Sequence, residues 1–154
     1  MDLKKYALSA VLLVFVILAC QAPQADSPLM KVEYLTSEMT ANLPFSDAVR
    51  VGNVLILSGQ IGNIPGEMSV VPGGMKAEAK QVMENIKSVL ERYGSSMDRV
   101  IKCTVMLDNI SEWADFNTVY ITYFPDHKPA RSAFAASGLA MGAKVEVECW
   151  AMVE

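Results

Sequence analysis

The residues best suited to chemistry in this 154-residue chain gather near its end. Arg131 follows Pro129-Ala130 directly, and no other basic residue appears until Lys144. From Lys144 the sequence alternates. Lys144, Glu146, Glu148 and Trp150 fall on one face of an extended strand, and Val145, Val147, Cys149 and Ala151 on the other. One face is built to pack, and the other carries two carboxylates. Gly138 and Gly142 bracket the connection, so the two runs read as an antiparallel hairpin with a long loop. An arginine on one strand and glutamates on its neighbour can meet across the sheet or across a subunit boundary. Either arrangement makes a small anion site. The planar fork of Arg131 suits a carboxylate in a way lysine cannot reproduce, the alternative use being a surface ion pair.

Other chemistries find little in the residues. The single histidine, His127, has no cysteine or carboxylate at ligand spacing and reads as an exposed loop imidazole. No Ser-His-Asp or Cys-His set is indicated, and no cofactor is expected. The ten methionines read as core filler. Cys103 and Cys149 lie in strand-like runs without a spacing motif and read as buried thiols, although in an exported protein they can pair.

The elements that must position Arg131 and the glutamates follow from the rest of the chain. Residues 1–19 have a basic head and a 14-residue uncharged run, Tyr6 to Ala19, shorter than the ~20 residues of a membrane-crossing helix. That describes a secretory signal, and Cys20 at its end gives it the look of a bacterial lipoprotein signal with Cys20 acylated. A plain signal cleaved within Gln21 to Ala25 is the alternative. Residues 20–30 form a polar, proline-bearing tether. Without residues 1–19 the chain carries 11 basic and 16 acidic residues, and it has no Lys/Arg cluster, so no nucleic-acid footprint is expected.

The folded domain spans 31–154. Lys31 to Leu35 predicts a strand, and Ser46–Val51 and Val54–Gln60 predict a tight hairpin through Gly52-Asn53. The run Val54 to Leu57 is apolar on both faces and so predicts cover on both sides. Met75 to Tyr93 is an amphipathic helix stopped by Gly94. Arg99 to Leu107 is a β-branched strand. Asn109 with Glu112 reads as a capping box opening a second helix, with the stripe Trp113, Phe116, Tyr120, Tyr123 and Phe124. The order predicts an α+β domain with both helices on one sheet face. The other face then wants a partner, which predicts a homo-oligomer.

Taken together, Pro44 to Val49, Leu57 to Ile61, Ala79 to Leu90 with Asn85, Val100 to Val105, Phe116-Asn117 to Tyr123-Phe124, Pro129 to Ser132 and Val145 to Glu148 resemble the RidA/YjgF family. That family is also known as L-PSP endoribonuclease-like proteins. The resemblance implies a chorismate-mutase-like α+β fold, a mixed sheet with two helices on one face, and a homotrimer with clefts between subunits. It also implies hydrolytic deamination of reactive 2-imino or enamino acids to 2-keto acids and ammonia. Arg131 then matches the carboxylate clamp, and Glu146 the residue that positions the water or takes its proton. Ser58, Asn117, Phe45 and Ala133 match positions lining the cleft. Phe45 stands where the family commonly has tyrosine, and Ala133 where many members have cysteine. An exported trimer that binds small carboxylates without turnover is the alternative function. A ribonuclease role, attached to some members, fits the acidic charge poorly. The expected location is outside the cytoplasm, held to a membrane only through an N-terminal lipid, or else soluble.

Overall fold

The computed structural model describes residues 30–153. The signal segment and Cys20 lie outside them. The helical stripe becomes α1, Met75–Arg92, with Ala79, Val82, Met83, Ile86 and Leu90 fully buried. Each such large side chain contributes about 1.5–3 kcal/mol through burial. Gly94 ends the helix at φ 81°, and the Ser95 amide donates back to the Leu90 carbonyl at 2.8 Å, which closes the last turn. The second helix, α2, is shorter at Trp113–Tyr120. Asn109 caps the 3₁₀ turn before it by accepting from the Ser111 amide at 3.0 Å. Glu112 does not complete the expected capping box. It pairs with Lys144 Nζ at 2.9 Å, a stronger partner than a backbone amide.

The strands are β1 Val32–Leu35, β2 Ala48–Val51, β3 Val54–Leu57, β4 Gln60–Ile61, β5 Val100–Leu107, β6 Ala130–Ala135 and β7 Val145–Met152. They form one mixed sheet in the order β1-β2-β3-β7-β5-β6, with the short β4 also on β7. Helices and sheet share a single apolar core, so both helices cover one face. The hairpin through Gly52-Asn53 is present. In β3, Leu55 and Leu57 are buried toward the core, while Val54 and Ile56 are half-buried on the open face.

The expected hairpin of β6 with β7 does not form. β7 enters the sheet between β3 and β5, and β6 pairs with β5 in parallel, outside it. The reason lies in β7, whose alternate residues Val145, Val147, Cys149 and Ala151 are all fully buried. A strand with a face this apolar is best placed in the middle of the sheet. β6 has a sparser apolar face and takes the edge.

Two buried groups fasten β7 and β4 to α1. Glu78 Oε2 accepts from the Lys144 amide at 2.7 Å, and Asn85 Nδ2 donates to the Ile61 carbonyl at 3.0 Å. The two cysteines, read as buried thiols, are instead joined. Cys103 on β5 stands opposite Cys149 on β7, with Cα atoms 4.2 Å apart, and forms a disulfide. Directly opposed strand positions bring the Cβ atoms close enough to bond. Under denaturing conditions Cys103 and Cys149 of the oxidised protein should take up no thiol-alkylating reagent until it is reduced. The double variant Cys103→Ala/Cys149→Ala should lose about 2–4 kcal/mol in urea unfolding. Free thiols at Cys103 and Cys149 in the untreated, air-oxidised protein, located by peptide mapping, would contradict the pairing.

Candidate functional site

Strand alternation decides where Arg131 points. Arg131 is paired with Cys103, whose side chain is in the core, so Arg131 and Ala133 face the helices while Ala130, Ser132 and Phe134 face away. There α2 receives the guanidinium. Arg131 Nη1 donates to Asn117 Oδ1 at 2.8 Å. Its Cζ lies 4.7 Å from the Tyr120 ring centroid and 5.9 Å from those of Trp113 and Phe116. Aromatic faces at this range stabilise the cation by about 0.5–2 kcal/mol and fix its plane. Among the described residues no carboxylate lies within 4.0 Å of it. Most of its five donors therefore remain for a ligand. Tyr120 is 8% exposed, and its hydroxyl has no hydrogen-bond partner among the described residues. Burial pushes its pKa up to about 12, with Arg131 pulling the other way. Beside Arg131 lies a cavity of about 370 Å³, lined by Asn117, Tyr120, Phe124 and Lys128 among others.

A second cluster forms where β3 ends. The Ser58 hydroxyl donates to the Ser46 carbonyl at 2.7 Å, and the Ser58 amide to the Asp47 carbonyl at 3.0 Å. This fixes the corner that carries Phe45, itself 51% exposed. Asp47 anchors the same corner from below. Burial works against its charge. Hydrogen bonds from Tyr93, Ser37 and Thr40, together with the Arg92 cation, outweigh that and hold its pKa below the ordinary value. The Tyr93 hydroxyl donates to it at 2.6 Å. Beside Ser58, the bare backbone of Gly59 makes room for Glu146, since a Cβ there would come 2.8 Å from Glu146 Cδ. Any side chain at this position displaces the carboxylate. Glu146 is half-buried; burial, then repulsion from Glu148, raises its pKa.

The expectation that Arg131 and the glutamates meet across the sheet is therefore corrected. Glu146 is paired with Met106, one position out of phase with the Cys103–Arg131 row, and so lies on the opposite sheet face. Within one protomer the structure brings Asn117 to Arg131, with Ala133 two residues further along the same face. It brings Ser58 and the Phe45 corner together beside Gly59 and Glu146. Trp113 and Tyr120 read from the sequence only as a core stripe, yet they form the bed under Arg131. A single arginine on the neighbouring strand was the only available signal. The contact of Gly59 with Glu146 has no sequence signal beyond the glycine itself.

Residues 35–153 match the family model described as Endoribonuclease L-PSP. The chain is 36% identical over 127 residues to the mouse 2-iminobutanoate/2-iminopropanoate deaminase, covering 82% of this chain and 94% of that protein. It is 34% identical over 106 residues to Reactive Intermediate Deaminase A, chloroplastic, of Arabidopsis thaliana, covering 69% of this chain and 57% of that longer protein. Among solved structures, the yeast protein YEO7 superposes with a TM-score of 0.75 at 40% identity, over 80% of this chain and all of that one.

The raised pKa of Glu146 has a stability consequence. Its folded pKa lies above the unfolded value, so the ionised form opposes folding at neutral pH. That penalty vanishes once the pH falls below the unfolded pKa. Glu146→Gln should therefore stabilise the fold at pH 7 and give no gain near pH 4. Urea unfolding at equal protomer concentration reads the difference, and a loss of stability at pH 7 would refute the burial account.

Proposed function

The chain belongs to the Endoribonuclease L-PSP (RidA/YjgF) family, and on that premise we propose that it hydrolyses 2-imino acids, and the enamines that tautomerise to them, to 2-keto acids and ammonia. One observation carries the reading. Arg131 is held by Asn117 and three aromatic rings, is paired with no carboxylate among the described residues, and opens on a cavity. An arginine whose partners leave its fork unspent is ready for a carboxylate.

In this reading the substrate carboxylate lies on the Arg131 guanidinium. Water attacks C2, and the Glu146 carboxylate takes its proton and delivers it to the nitrogen. The hydroxyl proton of the resulting carbinolamine then passes through the same carboxylate to the amine, the C=O bond forms as the C–N bond breaks, and ammonia leaves the keto acid. Within one protomer burial and Glu148 raise the Glu146 pKa. The Arg131 cation of the next copy would work against that and keep the carboxylate ionised to accept the proton. Because Arg131 and Glu146 face opposite sides of the sheet, the site needs two copies. Glu146 and Ser58 of one copy meet Arg131 and Asn117 of the next, in a homotrimer. The open face supports this, with Phe134 49% and Trp150 40% exposed beside Glu146 and Glu148.

We also propose that the protein is exported, with residues 1–19 removed and Cys20 lipidated. A structural disulfide favours an oxidising compartment. In a bacterial host, Cys20→Ser should shift the protein out of the membrane fraction or leave it as precursor. Unlipidated, soluble wild type would exclude the anchor.

The catalytic reading is tested with an amino-acid oxidase as the source of imine. The mature protein should accelerate keto-acid formation over the uncatalysed rate and sediment as a trimer. Arg131→Ala should keep the trimer and lose about 10² to 10⁴ in kcat/KM, since charge-assisted bonds to a carboxylate are worth about 1.5–3 kcal/mol each. Arg131→Lys should recover little. Tight carboxylate binding by wild type with no acceleration would make the protein a binder and not an enzyme.

A further inference from the structure

The cavity beside Arg131 has a second cation. Lys128 lines it together with Pro129, three residues before Arg131 on an extended approach to β6. That spacing is about 10 Å of chain. Lys128 is exposed, and among the described residues neither it nor Arg131 has an ion-pair partner. Within one protomer no carboxylate lines the cavity, and Asp126, two residues upstream, does not reach its wall. In the proposed assembly Glu146 of the next copy serves the reacting carbon beside Arg131, which leaves Lys128 to the far end. Apart from Asn117 and the two cations, the wall is aromatic or apolar, from Tyr120, Ile121, Phe124 and Pro129, the Tyr120 hydroxyl itself being buried. The volume of about 370 Å³ is space for about a dozen waters, more than a three-carbon keto acid fills.

We propose that Lys128 is a specificity-determining residue, and that the site takes substrates with a second carboxylate at the far end, the 2-imino acids derived from acidic amino acids. The inference rests on the reading of Arg131 as the clamp for the first carboxylate. The apolar wall accommodates the methylenes between the two anionic ends. Lys128 then supplies the charge that a monocarboxylate leaves unanswered. Because Lys128 is solvent-exposed, its contribution is modest, on the order of a surface ion pair and about fivefold in affinity.

Calorimetric titration of the mature protein with two keto acids of equal length tests this. 2-Oxoglutarate and 2-oxopentanoate differ only in a terminal carboxylate against a methyl group. Wild type should bind the dicarboxylate about fivefold tighter, and added salt should shrink the margin. Lys128→Gln should bring the ratio to about one, and Lys128→Arg should retain it. A wild-type ratio of one, or a ratio that Lys128→Gln leaves unchanged, overturns the proposal. If the monocarboxylate still binds and Arg131→Ala abolishes that binding, only the role of Lys128 falls. If neither ligand binds wild type, the clamp reading falls, and this one with it.

Discussion

The two-residue period of β7 governs the arrangement of the whole domain. Val145, Val147, Cys149 and Ala151 on one side form the floor on which α1 rests, with α2 packed against α1, and Glu146 and Glu148 must then point the other way. The same parity, passed through Cys103 to Arg131, sends the arginine toward the helices. No side-chain rotation can bring the two charges together across the sheet. A slip of one residue in β7 would exchange its faces, burying the carboxylates and exposing the core. Glu78 guards against that slip by holding the Lys144 amide at the first turn of α1.

Much of this was legible in the chain, for local reasons. The stripe of α1, its stop at Gly94, the Gly52-Asn53 hairpin and the alternation of β7 each depend on residues close in sequence. Sheet order was not legible, because it depends on a competition among strands for the central place. Sequential strands usually neighbour one another, and β6 and β7 are an exception. The disulfide was hidden for the same reason. Cys103 and Cys149 are 46 residues apart, and only the register of β5 on β7 sets them face to face.

The candidate site divides along the same line. The resemblance to a known family named Arg131, Glu146, Ser58 and Asn117, and the coordinates group them as Arg131 with Asn117 and Ser58 with Glu146. Their supports were not named. Tyr120 and Trp113 fit a helical core stripe equally well, since an aromatic face that packs and one that carries a cation share the same spacing. Asp47 gave no signal because its partners Tyr93 and Arg92 lie on the far end of α1.

The strand order also sets direction. The chain enters the sheet at β1, one edge, while Arg131 sits on β6, the other edge. Five strand spacings of about 4.8 Å separate them, roughly 24 Å. Whatever holds the chain upstream of Met30 therefore pulls on the side of the molecule remote from the arginine. Under the proposed anchoring, the β1 edge of each protomer would face the anchoring surface and the β6 edge would lie away from it.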